Sequence, residues 1–232
     1  MLLFALVTGG IAAGIFYFKF SGRMGADSHT VASRVKQFRG VVEQRCVPLF
    51  EKANAAWPPK GLCFVGLKEE RELQVFATDR EERLVFVHSY PILGASGRSG
   101  PKLREGDMQV PEGIYGIELL NPNSLFHLSL RINYPNADDI RRAAAEGRTE
   151  PGSDIMIHGG SGSIGCLAMG DEAAEDLFIM AALAGVKNIR VILAPYDFRQ
   201  KAAHPPEGAP SWTSVLYTGI ESALRVLPNG RK

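Results

Sequence analysis

His158 and Cys166 are the two residues of this chain best suited by type and spacing to covalent chemistry, an imidazole eight positions before a thiol. The thiolate is the nucleophilic form of cysteine, and a neighbouring imidazole is a common means of generating it. Gly159, Gly160, Gly162 and Gly165 stand between them. Glycines let a backbone turn sharply and bring its N–H groups close to a substrate oxygen. A tight turn holding a buried structural cysteine would carry the same local pattern.

The flanking residues say what must position this pair. Ser153 to Ile157 reads as a short buried strand that delivers His158 to a loop. Asp171 to Phe178 reads as the start of a helix with Asp171 as its N-cap. Cys166 would then lie shortly before a helix N-terminus, where the dipole favours a thiolate. Further strands are expected at about Leu62 to Leu67, Glu72 to Thr78, Leu84 to Ser89, Ile114 to Leu119, Phe126 to Ile132 and Asn188 to Ala194. Helices are expected over Ser28 to Ala55, Asp138 to Glu146, onward from Asp171 to about Ala184, and Trp212 to Leu227. In the first of these, Val31, Val35, Phe38, Val41, Val42, Val47 and Phe50 supply an apolar face. Strands outnumber helices without regular alternation, which predicts a mainly β fold with peripheral helices (α+β) rather than a doubly wound sheet. Tyr90 to Gly113 is a long loop, a kind of segment that is usually functional or disordered inside a compact domain.

The segment Ile157-His158-Gly159, then Ser163-Ile164-Gly165-Cys166, then Ala168-Met169, resembles the active-site motif of the YkuD-type L,D-transpeptidase catalytic domain, in the form of its YafK-like branch. Gly100-Pro101-Lys102, Glu105-Gly106-Asp107 and Pro111-Glu112-Gly113-Ile114-Tyr115 resemble that branch's second signature. Asn133-Tyr134-Pro135-Asn136 and Tyr196-Asp197-Phe198-Arg199 also fit, so the resemblance runs from Lys68 to Arg199.

The resemblance implies a β-sandwich or barrel-like domain and a thiol acyl-transfer enzyme acting on peptidoglycan peptide stems, in the periplasm or cell envelope, with no cofactor. It makes Cys166 the nucleophile and His158 the base, with the N–H groups of Gly165 and Cys166 facing the oxyanion. Ser163 and Gly159 shape the loop, and Lys102, Tyr134 and Arg199 are the candidate substrate contacts. Ile164 stands where the wider family has His, and Ala168 where it often has Arg or Asn. Both departures remove polar groups beside the nucleophile, and both match the YafK-like branch. Cross-linking and cleavage of diaminopimelate-linked bonds, including release of wall-attached protein, stay open. A membrane-tethered, non-catalytic module for wall peptides is the alternative of a different class.

At 232 residues with a formal net charge of +1, the chain can bury a large core and does not read as a nucleic-acid binder. The expected organisation is an N-terminal segment (1–20), a helical lead-in (28–60), the catalytic domain (61–200) and a C-terminal helical extension (201–232). Met1 to Phe18 carries no charged side chain and reads as an uncleaved membrane anchor or a signal segment. The basic residues Lys19, Arg23, Arg34, Lys36 and Arg39 follow it, an arrangement that would hold the domain on the cytoplasmic side. A wall substrate requires the opposite side, and the resemblance is given precedence. Cys46 and Cys63 could pair as a disulfide or stand as two buried thiols, and no ligand spacing suggests a metal.

Overall fold

Helix α1 (Val31–Lys52) starts at a reciprocal cap. Thr30 Oγ1 accepts from Ser33 N–H, and Ser33 Oγ accepts from Thr30 N–H, both at 3.0 Å. The computed structural model describes residues 28–229, so the expected N-terminal anchor lies outside the described residues. Val42, Cys46 and Phe50, each four positions apart, form the buried stripe of α1. Val41, expected on that stripe, is 44% exposed; the helical period gives the inward position on that turn to its neighbour Val42.

The strands are β1 (Leu62–Leu67), β2 (Glu72–Thr78), β3 (Leu84–Pro91), β4 (Gly113–Ser124), β5 (His127–Ile132), β6 (Met156–His158), β7 (Leu167–Ala168) and β8 (Ile189–Ala194). They form one mixed sheet in the order β3-β2-β1-β8-β4-β5-β6-β7. β1 pairs in parallel with β8, and β6 in parallel with β7; every other pairing is antiparallel. The chain just beyond β3 returns to the opposite edge of the sheet. Leu93 N–H donates to Ala168 O at 2.8 Å, and Ala168 N–H donates to Gly94 O at 2.8 Å. The two outer edges are thereby tied together, which gives the sheet its barrel-like closure and satisfies backbone groups that an open edge would expose.

Both faces of the central strands are covered, which is why β1 is buried along its whole length. On one face Phe64, Leu73, Val75, Val191 and Leu193 pack with α1 and with α3 (Asp171–Ala184). On the other, Cys63, Val65, Phe76 and Ile192 pack with Tyr217, Ile220 and Leu224 of the C-terminal helix α4 (Thr213–Arg225). A further helix, α2 (Ala137–Ala145), follows β5 behind an Asn136/Asp139 capping box. Cys46 and Cys63 stand as free thiols in these two separate clusters, and burial pushes both up to about 12. The architecture is α+β, as the strand-rich sequence predicts.

Helix α3 is capped at Gly170, one residue before the expected Asp171. Asp171 is drawn elsewhere: its carboxylate accepts from Gly160 N–H at 2.9 Å. α3 is buried on nearly all sides, and its one buried charge, Asp176, is bonded by Arg45 at 2.6 Å and by Tyr90 at 3.0 Å.

Candidate active site

Strand β6 ends at His158, and β7 begins one residue after Cys166. Their register pairs Ile157 with Leu167 and His158 with Ala168. One step back along β7 places Cys166 beside Met156, two residues before His158. Strand spacing and rise then put the two Cα atoms roughly 8 Å apart on neighbouring strands. The sheet therefore sets the two residues near each other, two positions out of register.

The loop between them is clamped on several sides. Gly159 N–H donates to Phe126 O at 3.0 Å, Met169 N–H to His158 O at 2.8 Å, and Gly170 N–H to Gly160 O at 2.8 Å. A Cβ at Gly159 would lie 2.6 Å from Asp171 Oδ1 and 2.7 Å from Phe126 O, so only glycine fits there. Gly165 has φ 125°, a left-handed region that other residues rarely adopt.

His158 is buried, with its ring against Phe126 at 4.7 Å between centroids. Its Nδ1 lies 2.6 Å from Gly159 O. A proton on Nδ1 donates there and leaves Nε2 as the basic nitrogen. Burial lowers the imidazole pKa, and the bond to Gly159 O opposes that shift only in part. The resting ring is thus neutral, the form a general base requires.

Cys166 Sγ accepts from Met156 N–H at 3.4 Å and faces Asp154 O at 3.7 Å. Burial pushes the thiol up and the Asp154 carboxylate adds to this; the Met156 N–H and the Lys102 cation pull it down. The net shift is upward, so the resting group is a thiol rather than the thiolate expected from the sequence. Among the described residues no hydrogen bond joins Cys166 to His158. The Cys166 and Gly165 N–H groups both point at Ser163 Oγ, at 3.0 and 3.3 Å.

The remaining sequence candidates fall in different places. Lys102 is buried near Cys166, with Nζ 2.6 Å from Asp107 Oδ1 and 3.0 Å from Arg104 O. Tyr134 is buried and donates to Pro151 O at 2.8 Å, bracing the segment that leads into β6. Arg199 lies under the second core cluster, bonded to Asp197 at 2.8 Å and Gln74 at 2.6 Å, and is not brought to Cys166. Ile164 is 81% exposed at the loop tip and does not pack on the sheet. Phe126 stands against His158 and Asp154 beside Cys166, although no motif singled them out, and Asp171, expected only as an N-cap, holds the loop at Gly160. Among the described residues, no three His, Cys, Asp or Glu side chains converge as a metal site would require.

The fold and site together define an α+β domain whose sheet sets a strand-end histidine beside a cysteine in a glycine-rich loop. No family model matches the chain. It is 36% identical over 134 residues to the protein named "Putative L,D-transpeptidase YafK" of Escherichia coli K12, and the match spans 56% of this chain and 52% of that protein. The chain thus matches about half the length of its curated relative. Over that stretch the chain is similar to a protein named as a putative L,D-transpeptidase, in keeping with the motif resemblance.

Among solved structures, the helical cell shape determining protein Pgp2 of Campylobacter jejuni (K307A mutant) is similar at 20% identity with a TM-score of 0.45, over 81% of this chain and 63% of that one. Bd1075 of Bdellovibrio bacteriovorus is similar at 24% identity with a TM-score of 0.42, over 62% of this chain and 52% of that one.

Proposed function

We propose that this protein is a cysteine acyl-transfer enzyme of the cell envelope, acting on peptidoglycan peptide stems. The single observation that carries the reading is the β6/β7 register, which pairs His158 with Ala168, two residues after Cys166. The YafK relationship and the motif blocks supply the substrate class. In the reaction, His158 takes the thiol proton of Cys166 as Sγ attacks a stem amide carbonyl. The resulting tetrahedral oxyanion takes the place of Ser163 Oγ before the N–H groups of Gly165 and Cys166. The amine leaves with the proton from His158, and a thioester remains on Cys166. An acceptor amine then forms a cross-link, or water releases the cleaved stem. The Cys–His contact closes when substrate is bound, as catalytic hydrogen bonds often do.

Ile164 and Ala168 place alkyl groups where the wider family has polar ones, so little beside Cys166 orients an incoming amine. The reading therefore leans to hydrolysis, with release of wall-attached protein included. The raised thiol, and the lack of a hydrogen bond between Cys166 and His158 among the described residues, favour a second reading, a binding module that holds wall peptides without turning them over. Incubation with purified sacculi, followed by mass analysis of muropeptides, separates the two. Released or newly linked stems that disappear with Cys166→Ala support the enzyme; binding without any change in the muropeptides supports the module.

A further inference from the structure

The long loop after β3 builds one wall of a groove of about 990 Å³, and the chain from Pro206 to Pro210 builds the other. Arg98 lines this groove and also a smaller adjoining cavity of about 240 Å³, so it stands where the two meet. Arg104 lines the groove farther along, and Glu207 lies in the opposite wall.

The strip that carries Arg98 is rigidly held. Gln109 is buried; its Oε1 accepts from Arg98 N–H at 2.8 Å, and its Nε2 donates to Arg98 O at 2.7 Å and Gly100 O at 2.6 Å. Glu112, also buried, accepts from Gly100 N–H at 2.8 Å and from Lys68 Nζ at 2.9 Å. The same wall touches the nucleophile loop from behind, where Gln109 O lies 3.5 Å from the point a Cβ would occupy on Gly165. Groove and thiol therefore sit on two sides of one fixed strap.

The charges inside the groove are unevenly satisfied. Asp107, in the lining, is paired at 2.6 Å with Lys102, which is buried behind the groove wall. Among the described residues, the guanidinium groups of Arg98 and Arg104 and the carboxylate of Glu207 have no hydrogen-bond or ion-pair partner. Two unpaired, planar cations suit carboxylates, which arginine can grip with two parallel hydrogen bonds. They are held on successive parts of an open channel with an acid across from them. That layout suits an extended chain bearing both carboxylates and an amine more than one compact anion.

We infer that this groove binds the charged stretch of an extended peptide, with Arg98 and Arg104 meeting its carboxylates and Glu207 its ammonium group. The inference deepens the functional reading above and takes the peptide class from it. Catalysis at Cys166 is not required for the binding itself.

The test uses the full chain carrying Cys166→Ala, so that nothing turns over, and the stem tetrapeptide L-Ala-γ-D-Glu-meso-diaminopimelate-D-Ala as probe. Affinity is measured by calorimetry for this peptide and for a form with its carboxylates amidated. The unsubstituted groove should prefer the acid form by about tenfold or more. Adding Arg98→Gln and Arg104→Gln should abolish that preference while leaving the amide affinity in place, an outcome that general misfolding would not produce. An acid preference as large after the two substitutions as before, or no preference in the unsubstituted groove, overturns the inference. If the preference is present but wild-type protein forms no acyl-enzyme with the same peptide, the groove stands and the functional reading falls.

Discussion

Ser163 closes a small ring with Cys166: its Oγ accepts from Cys166 N–H at 3.0 Å and donates to Cys166 O at 2.6 Å. One hydroxyl fixes the turn that carries Cys166 and occupies the point where the proposed reaction would hold its oxyanion. Ser163→Ala removes the partner of Cys166 N–H, Gly165 N–H and Cys166 O together. We expect stability to fall by about 1–2 kcal/mol, since each group loses a hydrogen bond in a part-buried loop. An unchanged urea midpoint would show that the ring does not hold the turn.

Gly159→Ala tests the clamp on the other side of the loop. The added methyl meets the Asp171 carboxylate and the Phe126 carbonyl, neither of which can yield without breaking a bond to the loop. The cost should be about 1–3 kcal/mol, as for overpacking elsewhere. Asp171→Ala combined with Gly159→Ala should cost less than the sum of the two single changes. Strict additivity of the denaturation midpoints would mean that the carboxylate is not what the methyl meets.

The resting protonation states give a pH profile. Burial lowers the His158 pKa, so the neutral base persists to lower pH than an ordinary histidine would allow. The acid limb of kcat/KM should therefore fall below about pH 6.5, the usual histidine value. Burial raises the Cys166 pKa, so iodoacetamide labelling of the free protein should be slow at neutral pH and rise above the ordinary thiol range. A labelling pKa below 7 would reveal a preformed thiolate–imidazolium pair and contradict this account.

Lys102 is the positive charge that opposes that rise, and it is buried in its pair with Asp107. Lys102→Ala should therefore move the labelling profile to higher pH and also destabilise the protein by about 3 kcal/mol, because Asp107 loses its counter-ion. A change confined to KM, with stability and labelling unaltered, would instead make Lys102 a direct substrate contact.

The contrast among residues shows what a sequence can carry. β1 was readable to the residue because a continuous apolar run begins after Gly61 and stops at the charged turn after Leu67, and β2 because Leu73, Val75 and Ala77 alternate with Glu72, Gln74 and Phe76. The tail of β4 through Asn121 and Asn123 was not, since polar residues there are held by irregular pairing with β5 and by bonds to His29 and Arg34, all of them tertiary contacts. The closure of Leu93 and Gly94 onto Ala168 joins segments distant in the chain, and no local pattern encodes it. His158 and Cys166 stood out by chemistry and spacing. Phe126 and Asp171 did not, because an aromatic ring on an imidazole and a carboxylate on a glycine N–H depend on tertiary contact. Arg199 shows the converse. Its motif was visible, and the fold uses it to bind Asp197 and Gln74 beneath α4.

The central claim is that Cys166 carries an acyl group taken from a peptide stem with His158 as the base. Intact-protein mass spectrometry after mixing with a stem tetrapeptide donor measures this directly. The account predicts a thioester adduct on Cys166 in the wild type, none in Cys166→Ala, and formation slowed by about 10²–10⁴ in His158→Ala. An adduct that survives in Cys166→Ala, or one that forms at the wild-type rate without His158, would contradict it.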